Sequence, residues 1–138
     1  MKNFIFIVAA ILVLSTSFAQ KNPPVTSSKS KLNIYYFHLT NRCPTCIKIE
    51  ATTKKVLEDN FRHELDSGII VFKSFNVDLP ENKTICEKYQ AYGATLAFTT
   101  LHGGKEKIED LTNFAFAKIH NGDAFYNDLK LKIQFYLK

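Results

Sequence analysis

The chain has little of what marks several classes of small protein. Three cysteines in 138 residues are too few for the dense cross-linking of a secreted disulfide scaffold, and five glycines and four prolines are too few for a collagen-like or low-complexity chain. No run of five or six like charges occurs among the 18 basic and 13 acidic residues. The lysines, interspersed with Asp and Glu, therefore read as solvated faces and not as a nucleic-acid footprint. Neither G-x-G-x-x-G nor a Walker A pattern is present, so nucleotide and flavin binding have no support and no cofactor is expected. What the chain does have is apolar: 46% hydrophobic and 13% aromatic residues against 22% charged, enough to bury one core in a length that accommodates one domain.

The start is an address before it is a structure. Lys2 is followed by eleven apolar residues, Phe4 to Leu14, too short for a permanent bilayer span of about 20 residues and right for the core of a secretory signal. Ser17 and Ala19 give the small-x-small pattern of a cleavage site, so residues 1–19 are expected to be removed after Ala19, with an uncleaved anchor as the alternative. No cysteine at the junction indicates a lipid anchor. Cleavage takes away only Lys2 among the charges and leaves 17 basic and 13 acidic residues, net +4 over 119 residues. No lasting membrane insertion is expected thereafter, and the address is export, in the periplasmic sense. Residues 20–31, with Pro23-Pro24 and Thr26-Ser27-Ser28, read as a flexible tether, and the folded domain as 32–138.

Within that domain residues 32–39, rich in β-branched and aromatic side chains, predict a strand buried on both faces. From Cys43 the period changes. Cys46, Ile49, Thr53, Val56, Leu57 and Phe61 recur at three and four, with Lys48, Glu50, Lys54, Lys55 and Glu58 mostly opposite, the pattern of an amphipathic helix. Residues 69–77 predict a second strand, 78–92 a second helix stopped by Gly93, 95–101 a third strand, and 106–111 a fourth returning through a tight turn at His102-Gly103-Gly104-Lys105. The tail, 112–138, predicts helix with a break at Asn121-Gly122, an N-cap at Asp123 and a buried stripe of Phe125, Leu129, Ile133 and Tyr136 or Leu137. The order β-α-β-α-β-β-α makes a single α/β domain, the first strands parallel through helical crossovers and the last two a hairpin.

Cys43-Pro44-Thr45-Cys46 carries the chemistry. Positions i and i+3 in a first helical turn bring two sulfurs within reach of a disulfide, and Pro44 suits the first helical position, where its missing N–H costs nothing. Cys43 is then the N-cap, its sulfur near unpaired N–H groups and the positive end of the helix dipole, with the charge of Arg42 beside it. A fall in thiol pKa from about 8.5 to about 7 raises the thiolate fraction at neutral pH some 15-fold and weakens each thiolate roughly 5-fold, a net gain of about threefold in attack. Cys43 is accordingly the expected attacking thiol and Cys46, on the inward face, the resolving one. Two other readings stay open. An inert bridge would close so small a loop that it contributes only about 2 kcal/mol. A metal site would need two more ligands from Cys86 and four histidines, none arranged as a partnering motif, with His38 at the strand end the nearest donor, and no metal is expected. Cys86 itself reads as a buried small hydrophobe, and Tyr35, Tyr36, Phe114 and Phe116 as core or pocket wall.

Strand, Cys43-Pro44-Thr45-Cys46, helix, then Phe75-Asn76-Val77-Asp78 leading to Lys88-Tyr89-Gln90-Ala91-Tyr92-Gly93, then Thr95-Leu96 opening a hairpin, resembles the thioredoxin superfamily over residues 32 to 137. Within it, Tyr35-Tyr36-Phe37-His38, Arg42 to Cys46 and Leu111-Thr112-Asn113-Phe114-Ala115-Phe116 are similar to small exported bacterial thioredoxin-like proteins, often labelled subunits of a nitrophenyl-compound nitroreductase. The resemblance implies a three-layer α/β fold with a central mixed sheet of about four strands flanked by helices. It implies a monomer exchanging disulfides with protein thiols at Cys43 and Cys46, with substrate contacts at Arg42, Pro44, Thr45, Ala94 and Thr95. Two departures imply a narrow substrate range. Ala94 stands where thioredoxins carry a cis-proline against the cysteines, and because a non-proline cis bond costs about 3 kcal/mol, Gly93-Ala94 is expected to be trans. The first strand also lacks the buried Asp that serves thioredoxins as proton acceptor, His38 being its nearest titratable residue. A thioredoxin-like docking module with a structural pair, or a carrier of Zn or Cu(I), are the rival readings.

Overall fold

Alternation makes the first strand central. In β1 (Leu32–His38), Leu32, Ile34 and Tyr36 point to one face and Tyr35 and Phe37 to the other, the two-residue period of an extended chain, and each face packs against a different cluster. In the computed structural model, which describes residues 31–102 and 104–138, β1 pairs in parallel with β2 (Ile70–Asn76) and antiparallel with β3 (Thr95–His102). β3 pairs antiparallel with β4 (Lys105–Asp110), so the order is β2-β1-β3-β4. The expected leader, and the tether up to residue 30, lie outside the described residues.

One face of the sheet carries α1 (Pro44–Asn60), α4 (Thr112–Lys118) and α5 (Gly122–Leu137); the other carries α3 (Lys83–Tyr89). The first layer holds the larger core. Leu32, Ile34 and Tyr36 meet Ile49, Val56 and Leu57 of α1 and the fully buried stripe Phe125, Leu129 and Ile133 of α5. Each such side chain contributes about 1.5 to 3 kcal/mol of burial. On the opposite face Phe37, Ala97, Cys86, Tyr89 and Ala91 form a smaller cluster, with Tyr35 and Phe75 edge to face at 5.3 Å between ring centroids. A mixed four-stranded sheet in this order, sandwiched between helices, is a three-layer α/β arrangement of the kind the resemblance implies.

Three local features differ from the expectations. The segment after β2 is a 3-10 turn, Pro80–Asn82, followed by α3, which ends at Tyr89 and not at the expected Tyr92. Gln90 adopts a left-handed φ of 51°, its N–H turned back to the carbonyls of Cys86 and Glu87, and Ala91 leaves the helix to bury itself beside Phe37 and Ala97. The N-cap of α5 is Asn121, whose side chain accepts from Ala124 N at 3.1 Å; Asp123 sits inside the first turn. A five-residue helix, α2 (Arg62–Asp66), follows α1 and is too short for periodicity to reveal.

Register sets the stage for the site. Phe37 lies opposite Phe75 of β2 and Thr95 of β3, so the ends of β1 and β2 and the beginning of β3 share one edge of the molecule.

Candidate active site

The loop leaving β1 at that edge is tied down before it reaches the cysteines. Thr40 N donates to Asp78 Oδ2 at 2.7 Å, Asn76 Nδ2 donates to Thr40 Oγ1 at 3.0 Å, and Asp78 N donates to Asn76 Oδ1 at 3.0 Å. The backbone N–H and then the hydroxyl of Thr40 hold the Asp78 carboxyl below the usual carboxylate range. The end of β1 is thereby clamped to the end of β2.

Cys43 then caps α1. Its φ and ψ of −72° and 152° are extended, Pro44 takes the first turn, and Cys46 N donates to Cys43 Sγ at 3.1 Å. The two sulfurs are bonded at 2.11 Å, with Cα atoms 5.1 Å apart, inside the span a disulfide bridges. Cys43 and Pro44 are exposed; Thr45 and Cys46 are half-buried. Sulfur at the N-cap of a 17-residue helix faces the unpaired donors and positive end that stabilise a thiolate once the bridge opens.

Arg42, next to Cys43 in sequence, is engaged by α1. Its guanidinium pairs with Glu50 Oε2, while Glu50 Oε1 takes Lys54 Nζ at 2.7 Å. The guanidinium also lies over the Tyr36 ring, 5.8 Å from its centroid, and the Tyr36 hydroxyl donates to the carbonyl of Cys46 at 2.8 Å. Glu50 was expected on the solvated face of the helix. Instead it is only 5% exposed, and the reason is tertiary: Arg42 comes from the preceding loop and Ser74 from β2 to meet it. Burial alone pushes its carboxyl up, but hydrogen bonds from Lys54, Arg42 and Ser74 outweigh burial and leave it below the ordinary range. A carboxylate held ionised in this way is a weak base, so Glu50 neutralises Arg42 and does not reproduce the proton acceptor missing from β1. No pattern in the sequence distinguishes it from Glu58, four residues before which Lys54 equally stands.

The remaining expected residues divide by place. Thr95 begins β3 and Ala94 immediately precedes it, both half-buried and at the same edge as the disulfide loop, and every peptide bond among the described residues is trans, Gly93-Ala94 included. His38 Nδ1 lies 2.9 Å from the carbonyl oxygen of Leu39. Among the described residues no three of His, Cys, Asp and Glu gather in a way that could hold a metal ion. Cys86 is a free thiol on the α3 side of the sheet, pushed up by burial, under a cavity of about 400 Å³ whose rim includes the exposed Leu39, Leu79 and Tyr92. That apolar opening had no signal in the sequence, since its three rim residues come from three separate loops.

No family model matches the chain, and no curated protein matches it. Among solved structures it is similar to a malarial protein, at 15% identity and a TM-score of 0.40, over 67% of this chain and 99% of the other. It is also similar to a thioredoxin from Thermus thermophilus, at 22% identity and a TM-score of 0.39, over 66% of this chain and 75% of that one.

Proposed function

We propose that the chain is an exported thiol-disulfide oxidoreductase of narrow substrate range, acting as a single copy on the thiols and disulfides of other proteins. One observation carries the reading: the Cys43–Cys46 bridge stands at a helix start with Cys43 an exposed residue and Cys46 a half-buried one in the first turn. The signal-like residues 1–19 and the resemblance to exported thioredoxin-like proteins support the periplasmic side of an inner membrane as the place of action, where disulfides persist.

The chemistry balances on sulfur alone. In the reduced protein the Cys43 thiolate attacks one sulfur of a substrate disulfide, forming a Cys43–substrate bond and expelling the other substrate sulfur as thiolate. Cys46, losing its proton to solvent, attacks Cys43 Sγ, restoring the bridge and releasing the second substrate sulfur. Two electrons pass from the dithiol to the substrate, and the reverse sequence oxidises a substrate dithiol. Cys46 N–H favours the Cys43 thiolate as the attacking group of the first step, and as the leaving group when the reverse sequence releases an oxidised substrate, because it already points at the sulfur.

Reduction of insulin disulfides by the purified chain with dithiothreitol tests the reading, with Cys43→Ser expected to abolish it. Retention of activity in Cys43→Ser rejects the assignment. Reductive titration separates it from a docking module whose bridge is structural: a midpoint potential below about −300 mV marks a bridge resistant to reduction, and a higher one a working pair.

A further inference from the structure

A cleft beside the disulfide has no part in the exchange just described. Pro44 and Thr45, the residues between the cysteines, line a space of about 230 Å³ together with Lys48, Ile119 and His120. Lys48 follows Thr45 by three residues and Pro44 by four, so helical geometry stacks its side chain on their face of α1. The opposite wall is the corner between α4 and α5, where Ile119 is buried and His120 exposed. Lys48 reaches that corner: its Nζ stands 3.7 Å from where a Cβ on Gly122 would lie.

Charge decides what such a space accepts. Lys54, Lys55, Lys83, Lys88, Lys118 and Lys132 all form ion pairs, whereas Lys48 forms none with any described residue, Asp123 of the adjacent first turn included. The lining therefore offers an apolar floor from Ile119 and the Pro44 ring, a hydroxyl from Thr45, an uncompensated ammonium, and an imidazole able to donate in either protonation state. It contains no carboxylate. This donor set complements an anionic oxygen pair on a short apolar stem.

We propose that the cleft is a substrate subsite, selecting disulfides with an acidic side chain close to the cysteine that exchanges with Cys43. The proposal rests on the exchange reading and names its substrate class. When Cys43 Sγ displaces one substrate sulfur as thiolate, the substrate is held by a single S–S bond next to Pro44, and a residue one or two positions from its cysteine is within about 7 Å of chain. A carboxylate there meets Lys48 and His120 before Cys46 attacks Cys43 Sγ, closes the bridge and frees the second substrate thiolate.

The test uses three self-quenched, disulfide-linked peptide dimers that differ only in one residue, Glu, Gln or Lys, placed two positions from the cysteine, with dithiothreitol as the recycling reductant. The wild-type chain should reduce them in the order Glu, Gln, Lys, with kcat/KM for Glu about two- to fivefold above Gln at low ionic strength and the gap closing as salt is added. Lys48→Glu should invert the order, and Lys73→Gln, on β2 away from the cleft, should leave it as it is. Iodoacetamide, which is uncharged, reports Cys43 separately. Equal rates for the three peptides, an unchanged order in Lys48→Glu, or a change in alkylation rate that accounts for the effect on all three peptides overturns the subsite while exchange itself stands. Failure of the wild-type chain to reduce any of them overturns exchange and the subsite together.

Discussion

Glu50→Gln removes one charge and almost no volume from the helix that carries the disulfide, and its consequences follow from where the two partners sit. The Lys54 side chain is half in water, so its share of the network is worth no more than about 0.5 kcal/mol after solvent screening. The Arg42 share is larger, because that side chain is 23% and Glu50 7% exposed, and a buried hydrogen bond between charges contributes about 1.5 to 3 kcal/mol. Gln keeps an acceptor and recovers part of this, but Arg42, whose Nε already has no partner among the described residues, loses its counter-charge. A loss of about 2 kcal/mol at pH 7 is expected, read as a fall of roughly 1 M in the urea midpoint with the disulfide intact. The pH dependence gives a second handle. The native carboxyl titrates below its ordinary value, so its contribution is whole above about pH 4.5, where the unfolded glutamate is ionised too, and is lost as pH falls through the lower native value. Wild type and variant should therefore converge in acid. Once reduced, the variant should also expose Cys43 to an unneutralised Arg42, and its alkylation by iodoacetamide should set in at lower pH than in the wild type. A difference under about 0.5 kcal/mol at pH 7, or one that persists unchanged at pH 3.5, would refute the network as described.

Opening the Cys43–Cys46 bridge should cost only about 2 kcal/mol of stability, since it closes a loop of sequence separation 3, and a urea midpoint compared with and without reductant checks this; a loss beyond about 4 kcal/mol would mark the bridge as a staple. Cys86, 6% exposed and with its thiol pushed up by burial, should resist a disulfide-exchange reagent in the native reduced protein and react fully in 6 M guanidinium, leaving native labelling confined to Cys43 and Cys46. Tyr36→Phe should lower stability by about 1 kcal/mol by removing the 2.8 Å hydrogen bond to the Cys46 carbonyl, and a midpoint indistinguishable from the wild type would show that bond to be idle.

The disulfide was legible without coordinates, and the reason is local. A cysteine, a proline and a second cysteine three residues on, at the point where a two-residue period gives way to a helical one, leave few conformations open, and the N-cap at Cys43 and the turn at Pro44 follow from backbone sterics and the helix end alone. The same holds for β1, whose apolar residues on both faces require layers on both sides, and for the stripe Phe125, Leu129 and Ile133. Helix ends were less legible. Gln90 took the capping role expected of Gly93 because burial of Ala91 outweighed intrinsic preference, and Asn121 took that expected of Asp123 because the two are equally good N-caps and its side chain reaches Ala124 N.

The surroundings of the sulfurs belong to the tertiary structure. Arg42 and Glu50 are eight residues apart, and the direction of the guanidinium depends on how the loop after β1 lies across α1, a matter settled by the Thr40, Asn76 and Asp78 clamp and by Ser74 from another strand. Lys48 and His120 are separated by 72 positions, and only the packing of α1 against the α4–α5 corner sets them on two walls of one cleft. Spacing along the chain specifies contacts that one turn or one strand can make. Contacts between elements depend on how buried faces dock, and in this protein the docking chose which charges stand beside the disulfide.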